Sequence, residues 1–324
     1  PIPNSGGPYL VPVGGSLSLN GSAIPSTGAT IAPTGYAWDL NRDNVFGEVT
    51  GATPTAIADT VLTGTYGMVL GQNTIKLKVT DSLGNTTTVT TIVKIGANAS
   101  WDANVSSANQ QDGGGTWMNA NQWRDNGVNS TWISGSSAIF GNNGTGGVVT
   151  LGANTTVGSL TFNSFNGTYT ISGGGIMTLN NGVTNNSTSG AVSISTPLVL
   201  TAPQTWGGTS TGALTVGGGI TNNGHTLTIA VPGTVTLSAS TNVITGSGGL
   251  TKNGSGRLIL GAGGTVPVHA YSGTTTLNGG VTMVSNFNIG SGNLTLNGGV
   301  IESYWATNFI RSLGSGSGQM QLTG

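Results

Sequence analysis

Asp39, Asn41 and Asp43 alternate along one short stretch, and Glu48 follows five positions later. Alternating carboxylate and amide oxygens are what a hard cation such as calcium takes from a short loop. The stretch is shorter than an EF-hand loop, and Asn44 stands where that loop needs glycine. Two readings follow: a calcium loop that stiffens its domain, and a plain polar turn after Trp38. A second group is aromatic. Trp101, Trp117, Trp123 and Trp132 are four of the seven tryptophans. Indole rings stack on sugars, which makes Trp117 and Trp123 candidate glycan contacts. They also cover the open first coil of a strand stack, the reading preferred here. Beyond residue 126 the one acid is Glu302, and the bases are Lys252, Arg257 and Arg311. Glycoside hydrolysis needs two carboxylates, and a Ser-His-Asp triad needs an Asp. Glu302 shows no partner in the sequence. His225 and His269 stand 44 positions apart and read as surface or turn histidines. No catalytic residue is assigned, and the chain reads as non-enzymatic.

The elements that hold these residues are set by an unusual composition. The chain has 324 residues, of which 58 are Gly, and only 5% are charged. Gly shows no period of three, which excludes collagen. No apolar run is long enough for a membrane-spanning helix. A hydrophobic fraction of 35% with net charge -1 argues against disorder. Eight Lys and Arg are too few for a nucleic-acid surface. The charged helix formers are nearly absent, whereas Thr, Val, Ile, Asn and Gly abound. That is a strand-and-turn composition, so an all-β fold is expected. With no Cys, no disulfide framework exists. The chain starts at Pro1 without a visible signal peptide and stops in a strand-like segment, so it reads as a piece of something longer.

Eight of the nine acids precede residue 127, which marks a boundary between modules. Residues 1–97 read as a small β-sandwich. Residues 74–80 and 86–95 alternate polar and apolar side chains. Between them Gly84 sits in a hairpin turn, where a positive φ costs it little. Gly6-Gly-Pro-Tyr9, Gly14-Gly-Ser-Leu-Ser-Leu, Tyr36-Ala-Trp-Asp-Leu40 and Leu77-Lys-Val-Thr-Asp-Ser-Leu-Gly84 occur in that order. This series resembles a PKD domain, the immunoglobulin-like module common in bacterial exoproteins. The resemblance implies that Trp38 is the buried tryptophan of a central strand. The stretch 60–72 is longer and richer in Gly than that family usually shows.

From about residue 98 the pattern changes. Strands of three or four residues, bounded by Gly or Asn, follow one another to the end. Gly182-Val-Thr-Asn-Asn186 recurs as Gly219-Ile-Thr-Asn-Asn223, 37 positions on, and Thr276-Leu-Asn-Gly-Gly-Val281 recurs as Thr295-Leu-Asn-Gly-Gly-Val300, 19 positions on. A coil of roughly 19 residues holding several short strands predicts a parallel β-helix. Leu, Val and Ile face inward and Thr and Ser outward, while Asn and Gly make the corners. Gly249, Gly280 and Gly299 are such corner glycines. Residues 98–145 form the tryptophan-rich junction and cap, and residues 146–324 the repeats.

Gly248-Gly-Leu-Thr-Lys-Asn-Gly-Ser-Gly-Arg-Leu-Ile-Leu260, followed by Tyr271-Ser-Gly-Thr-Thr-Thr-Leu-Asn-Gly-Gly-Val281, resembles the autotransporter-associated β-strand repeat. Gly115-Thr-Trp-Met-Asn-Ala-Asn-Gln-Trp123 and the segment from Asn308 to Gly318 are similar to further pieces of such arrays, and Val266-Pro-Val-His269 interrupts them. The resemblance implies a right-handed parallel β-helix, secreted or displayed on a bacterial surface, and no particular activity. The expectation is a non-enzymatic extracellular structural protein whose partners are copies of itself, forming a fibre, sheath or surface layer. The alternative is a surface adhesin or stalk that binds polysaccharide or cell-surface components.

Overall fold

Period-two alternation of Val, Ile and Leu with Thr, cut every few residues by Gly or Asn, gives many short strands. The computed structural model describes residues 1–11, 14–69, 71–96, 98–125, 127–238, 243–261, 269–284, 289–303 and 311–323. Among these the one α-helix is Asp59–Gly64, with Leu62 buried beneath it. It occupies the start of the long 60–72 stretch. The chain divides into two compact units, one of Pro1–Ala97 with Ile133–Ser136, the other of Asn98–Trp132 with Ser137–Gly324.

The first unit contains a five-stranded sheet in the order Tyr9–Val11, Thr86–Ile95, Gly71–Thr80, Tyr36–Asp39, Val49–Thr50. Two-stranded ribbons, Ile2–Asn4 with Ser22–Ile24 and Ser16–Leu17 with Ile57–Ala58, complete it. One side of the long hairpin supplies Ile75, Leu77, Val79, Val93 and Ile95 to a core around Trp38, all fully buried. Gly84 turns that hairpin with φ +79°, and the Asp81 carboxylate accepts the Leu83 and Asn85 N–H groups at 3.0 Å each.

The second unit is a β-solenoid of about seven turns, built from three sheets that are parallel except at the first edge of the longest. The first side includes Leu198–Leu200, Ile220–Thr221 and Ile244–Gly246, and the second side is the most regular. Gln204–Trp206, Leu227–Ile229, Leu250–Lys252, Thr275–Leu277, Leu294–Leu296 and Met320–Leu322 stack in order. Successive coils lie ~4.8 Å apart, the spacing of paired strands. The inward apolar side chains, aromatic at the first coils and mostly aliphatic beyond, form one continuous core. Each fully buried Leu or Ile contributes ~1.5–3 kcal/mol, so a coil is stable only against its neighbours.

The coil length differs from the expected 19 residues. Leu227 pairs with Leu250, 23 positions on, Leu250 with Thr275 at 25, and Leu294 with Met320 at 26. The 19-residue repeat is one coil, the shortest, in which Thr276 pairs with Thr295. The 37-residue repeat spans no whole number of coils. Thr184 bridges Gly207, next to Gln204–Trp206 of the second side, whereas Ile220 pairs with Leu198 on the first. A strand followed by an Asn corner occurs on more than one side, so the same short motif recurs out of phase.

Corner glycines sit where chain meets chain. A Cβ on Gly249 would stand 2.6 Å from the Thr274 carbonyl oxygen, and one on Gly299 would stand 2.9 Å from the Leu277 Cβ. Gly280 combines φ +67° with a neighbour 2.3 Å from its Cβ position, the Gly256 oxygen, whereas a Cβ on Gly84 would meet open space. Gly280→Ala is therefore expected to cost about 2–4 kcal/mol and Gly84→Ala about 1 kcal/mol. Urea midpoints of the two variants would show the order. The Val266-Pro-Val interruption and residues 308–310 of the last array piece lie outside the described residues.

Candidate functional site

The strand Tyr36–Asp39 ends by burying Trp38 and carrying Asp39 into the following loop. Trp38 donates its indole N–H to the Gly51 carbonyl at 3.0 Å. Asp39 is 1% exposed. Its Oδ1 accepts the Arg42 N–H at 2.7 Å and its Oδ2 the Asn44 N–H at 3.2 Å. Asp43 accepts the Val45 N–H at 2.7 Å and the Asn41 side-chain N–H at 2.9 Å. One carboxylate oxygen each of Asp39, Asp43 and Glu48 lie within 4.8 Å of one another. The nearby cations bond elsewhere: Lys76 donates to the Asn44 side-chain oxygen, and Arg42 to the Asn73 side chain and the Gly67 carbonyl. Glu48 Oε2 is buried and has no hydrogen-bond partner.

This is where, among the described residues, a hard divalent ion would find three carboxylates. Asp39, Asp43 and Glu48 would hold it, and Asn41 orients Asp43. Calcium bound there would link the strand's end to the loop's return without taking part in chemistry. Addition of calcium is expected to raise the melting temperature of the first unit, by linkage worth ~2.7 kcal/mol at a hundredfold excess over Kd. Asp43→Asn should lower that gain. Scanning calorimetry with calcium and with chelator makes the comparison, and equal curves would identify a plain polar turn.

The tryptophan group lies at the solenoid's first edge. Trp123–Asp125 and Val128–Ser130 add antiparallel strands outside Asn98–Trp101, which itself pairs in parallel with Ser137–Phe140. Trp123 lies 4.7 Å from Trp117, 4.6 Å from Trp132 and 5.2 Å from Trp101 between ring centroids. Trp101, Trp117 and Trp123 are fully buried. This corrects the glycan assignment of Trp117 and Trp123: both rings are covered by other aromatic rings and present no surface to a sugar.

Acids that spacing did not single out pin the same edge. Asp102 is fully buried and accepts the Gln111 N–H at 3.1 Å and the Asn129 side-chain N–H at 2.9 Å. Asp112 accepts the Gly141, Asn142 and Gly144 N–H groups and, at 2.6 Å, the Tyr169 hydroxyl. Burial and the neighbouring Asp112 both push the Tyr169 hydroxyl pKa upward. Their concentration before residue 127 reflects loop N–H groups that need acceptors.

In the solenoid, Glu302 does have a partner. It lies 2.7 Å from the Arg257 guanidinium, both groups about half exposed. The two stand on strands two coils apart, each paired with Val281–Val284. His225 lies in a turn, its N–H donated to the Asn222 carbonyl at 2.8 Å. His269 departs from the surface reading: it is 5% exposed, and neither ring nitrogen has a hydrogen-bond partner among the described residues. Lys252 was not foreseen either. It occupies an inward position between Ile229 and Leu277, fully buried, and its ammonium donates to the Asn253 carbonyl at 2.6 Å and the Gly254 carbonyl at 3.1 Å. Burial draws its pKa down. The sequence signal was a Lys at a position where the pattern calls for an aliphatic residue. No helix among the described residues is long and apolar enough to cross a membrane. Comparison with family models, with curated proteins and with solved structures finds no match to this chain.

Proposed function

We propose that this chain is a non-enzymatic structural protein that works outside the cell, where its solenoid packs side by side with copies of itself in a fibre, sheath or surface layer. On this reading the first unit is an immunoglobulin-like module of the PKD type, and the solenoid is right-handed. The resemblance of both regions to bacterial exoprotein modules supports the location.

One observation carries the assembly reading. On the second side of the solenoid, Thr205, Thr228, Thr251, Thr276 and Thr295 occupy one outward column in unbroken register. Two positions beyond Thr251, Thr276 and Thr295 runs a second rank, in which Asn278 donates to Asn253 at 2.8 Å and Asn297 to Asn278 at 3.1 Å. Neither rank carries a charge. Two such faces approach without repulsion and share one ~4.8 Å repeat, so hydroxyl and amide groups meet in register. The double variant Thr251→Lys, Thr276→Lys places like charges on adjacent coils of that face. It is expected to disperse assemblies at low salt with folding retained. Light scattering against concentration, with circular dichroism as the folding control, measures this. Assemblies unchanged by the two lysines would overturn the choice of face.

A further inference from the structure

Lys252 is fully buried, and its ammonium donates to two backbone carbonyls, those of Asn253 at 2.6 Å and Gly254 at 3.1 Å. The first of these belongs to the peptide group that joins Asn253 to Gly254. In an Asn-Gly pair the backbone nitrogen comes close to the preceding side chain most easily, because glycine has no Cβ in the way. Nine such pairs occur in the chain. Several are held shut: the Gly21 N–H donates to the Ala52 carbonyl at 2.8 Å, that of Gly144 to Asp112 at 2.7 Å and that of Gly224 to Asn222 at 3.1 Å. In the corner rank of Asn253, Asn278 and Asn297, the N–H groups of the following Gly254, Gly279 and Gly298 have no acceptor among the described residues.

The ladder of amides separates these three. Asn278 donates to Asn253 and Asn297 to Asn278, so the NH2 groups of Asn278 and Asn297 are engaged. Asn253 only accepts, and its NH2 has no acceptor among the described residues. Exchange of that NH2 for oxygen costs the ladder nothing, since a carboxylate still accepts from Asn278. Asn253 is half-buried, whereas Asn278 and Asn297 are exposed.

We propose that Asn253 is a self-modification site, converted to aspartate and isoaspartate through a succinimide, with Lys252 as the group that activates it. The ammonium's bond to the Asn253 carbonyl draws electrons from that peptide group and makes the Gly254 N–H more acidic. Water takes this proton, and the Gly254 nitrogen attacks Cγ of Asn253. The Cγ–Nδ2 bond breaks, and the nitrogen leaves as ammonia with a proton returned by water. Water then adds to one of the two ring carbonyls. Opening at Cγ gives aspartate, and opening at the Asn253 backbone carbonyl gives isoaspartate. Overall, water is consumed and ammonia released. The inference does not depend on self-assembly, and it gives the buried lysine a chemical role.

The test follows each Asn-Gly pair by peptide mass spectrometry while the folded chain is incubated at neutral pH. Asn253 should convert about tenfold faster than Asn297, a difference of ~1.4 kcal/mol in barrier height, although Asn297 is the more exposed. In urea the ammonium is no longer held against the peptide group, and the two rates should converge. In Lys252→Met the charge is gone, and Asn253 should slow to the rate of Asn297. Lys252→Arg, which restores donors to the carbonyl, should recover much of the loss. Melting curves establish which variants fold, and the comparison of folded with urea-unfolded parent needs no variant. The proposal is overturned if Asn253 reacts no faster than Asn297 in the folded parent, or if its lead persists in urea. A folded Lys252→Met chain with Asn253 unslowed, or a folded Lys252→Arg chain as slow as Lys252→Met, would overturn it too.

Discussion

Trp123→Ala is expected to destabilise the solenoid unit by about 3–5 kcal/mol, the usual cost of emptying a large buried aromatic site. Trp123 is fully buried, meets Trp101, Trp117, Trp132 and Phe140, and donates its indole N–H to the Trp117 carbonyl at 2.7 Å. Its removal leaves a void among four aromatic rings and strips that carbonyl of its donor. The loss falls at the solenoid's first edge. Since each coil is held by its neighbours, unfolding starts there and propagates along the stack. Trp123→Phe keeps most of the ring contact and loses the N–H, so its cost should be well below that of alanine. Urea unfolding followed by far-ultraviolet circular dichroism gives both values. An alanine variant as stable as the parent would mean that the aromatic group does not hold that edge.

Acidification is expected to weaken the solenoid through His269. An ordinary histidine titrates near 6.5, and burial pulls this one down to about 4. Between these values the unfolded chain takes a proton that the folded chain refuses. Stability is therefore full above pH ~6.5, falls as pH drops towards ~4, and this contribution is flat below that. A shift of this size corresponds to a loss on the order of 3 kcal/mol. The structural cause is visible: both ring nitrogens are buried without partners among the described residues, and the ring packs edge-on against Tyr271, 6.3 Å away. Burial likewise pushes the Tyr271 hydroxyl up to about 12, so it stays neutral throughout. Arg311 acts on Tyr271 electrostatically, and its guanidinium donates to carbonyls of residues 289, 290, 292 and 318. Among the described residues His269 has no carboxylate partner to welcome a histidinium. His269→Leu should remove most of the acid sensitivity between pH 6.5 and 4. Unfolding midpoints of parent and variant across that window decide the matter, and parallel profiles would count against it.

The solenoid was legible because its physics is written one residue at a time. Leu227, Leu250 and Leu294 face inward, Thr228, Thr251 and Thr295 outward, and Asn253, Asn278 and Asn297 form the corner rank. Each assignment needs only local alternation and turn chemistry. Coil length was misread, because it depends on how many residues each corner loops out, and corner insertions leave no mark on strand pattern. The 37-residue echo of Gly182-Val-Thr-Asn-Asn186 misled for the same reason: one strand-and-corner motif served two sides. The acidic loop was legible through side-chain spacing, and Asp39, Asp43 and Glu48 do converge. Partners set by tertiary folding were not legible. Arg257 reaches Glu302 across 45 positions, and Asp112 reaches Tyr169 across 57. Burial of His269 and Lys252 escaped notice because neither residue type announces an inward position.

Electron cryomicroscopy of the purified chain, examined over a range of concentrations, tests the central claim most directly. Ordered bundles or sheets of solenoids lying side by side are expected, with a ~4.8 Å repeat along each solenoid axis and the Thr and Asn ranks at the contacts. Separate, unassociated particles at every concentration would contradict it, as would ordered assemblies whose contacts leave those ranks exposed.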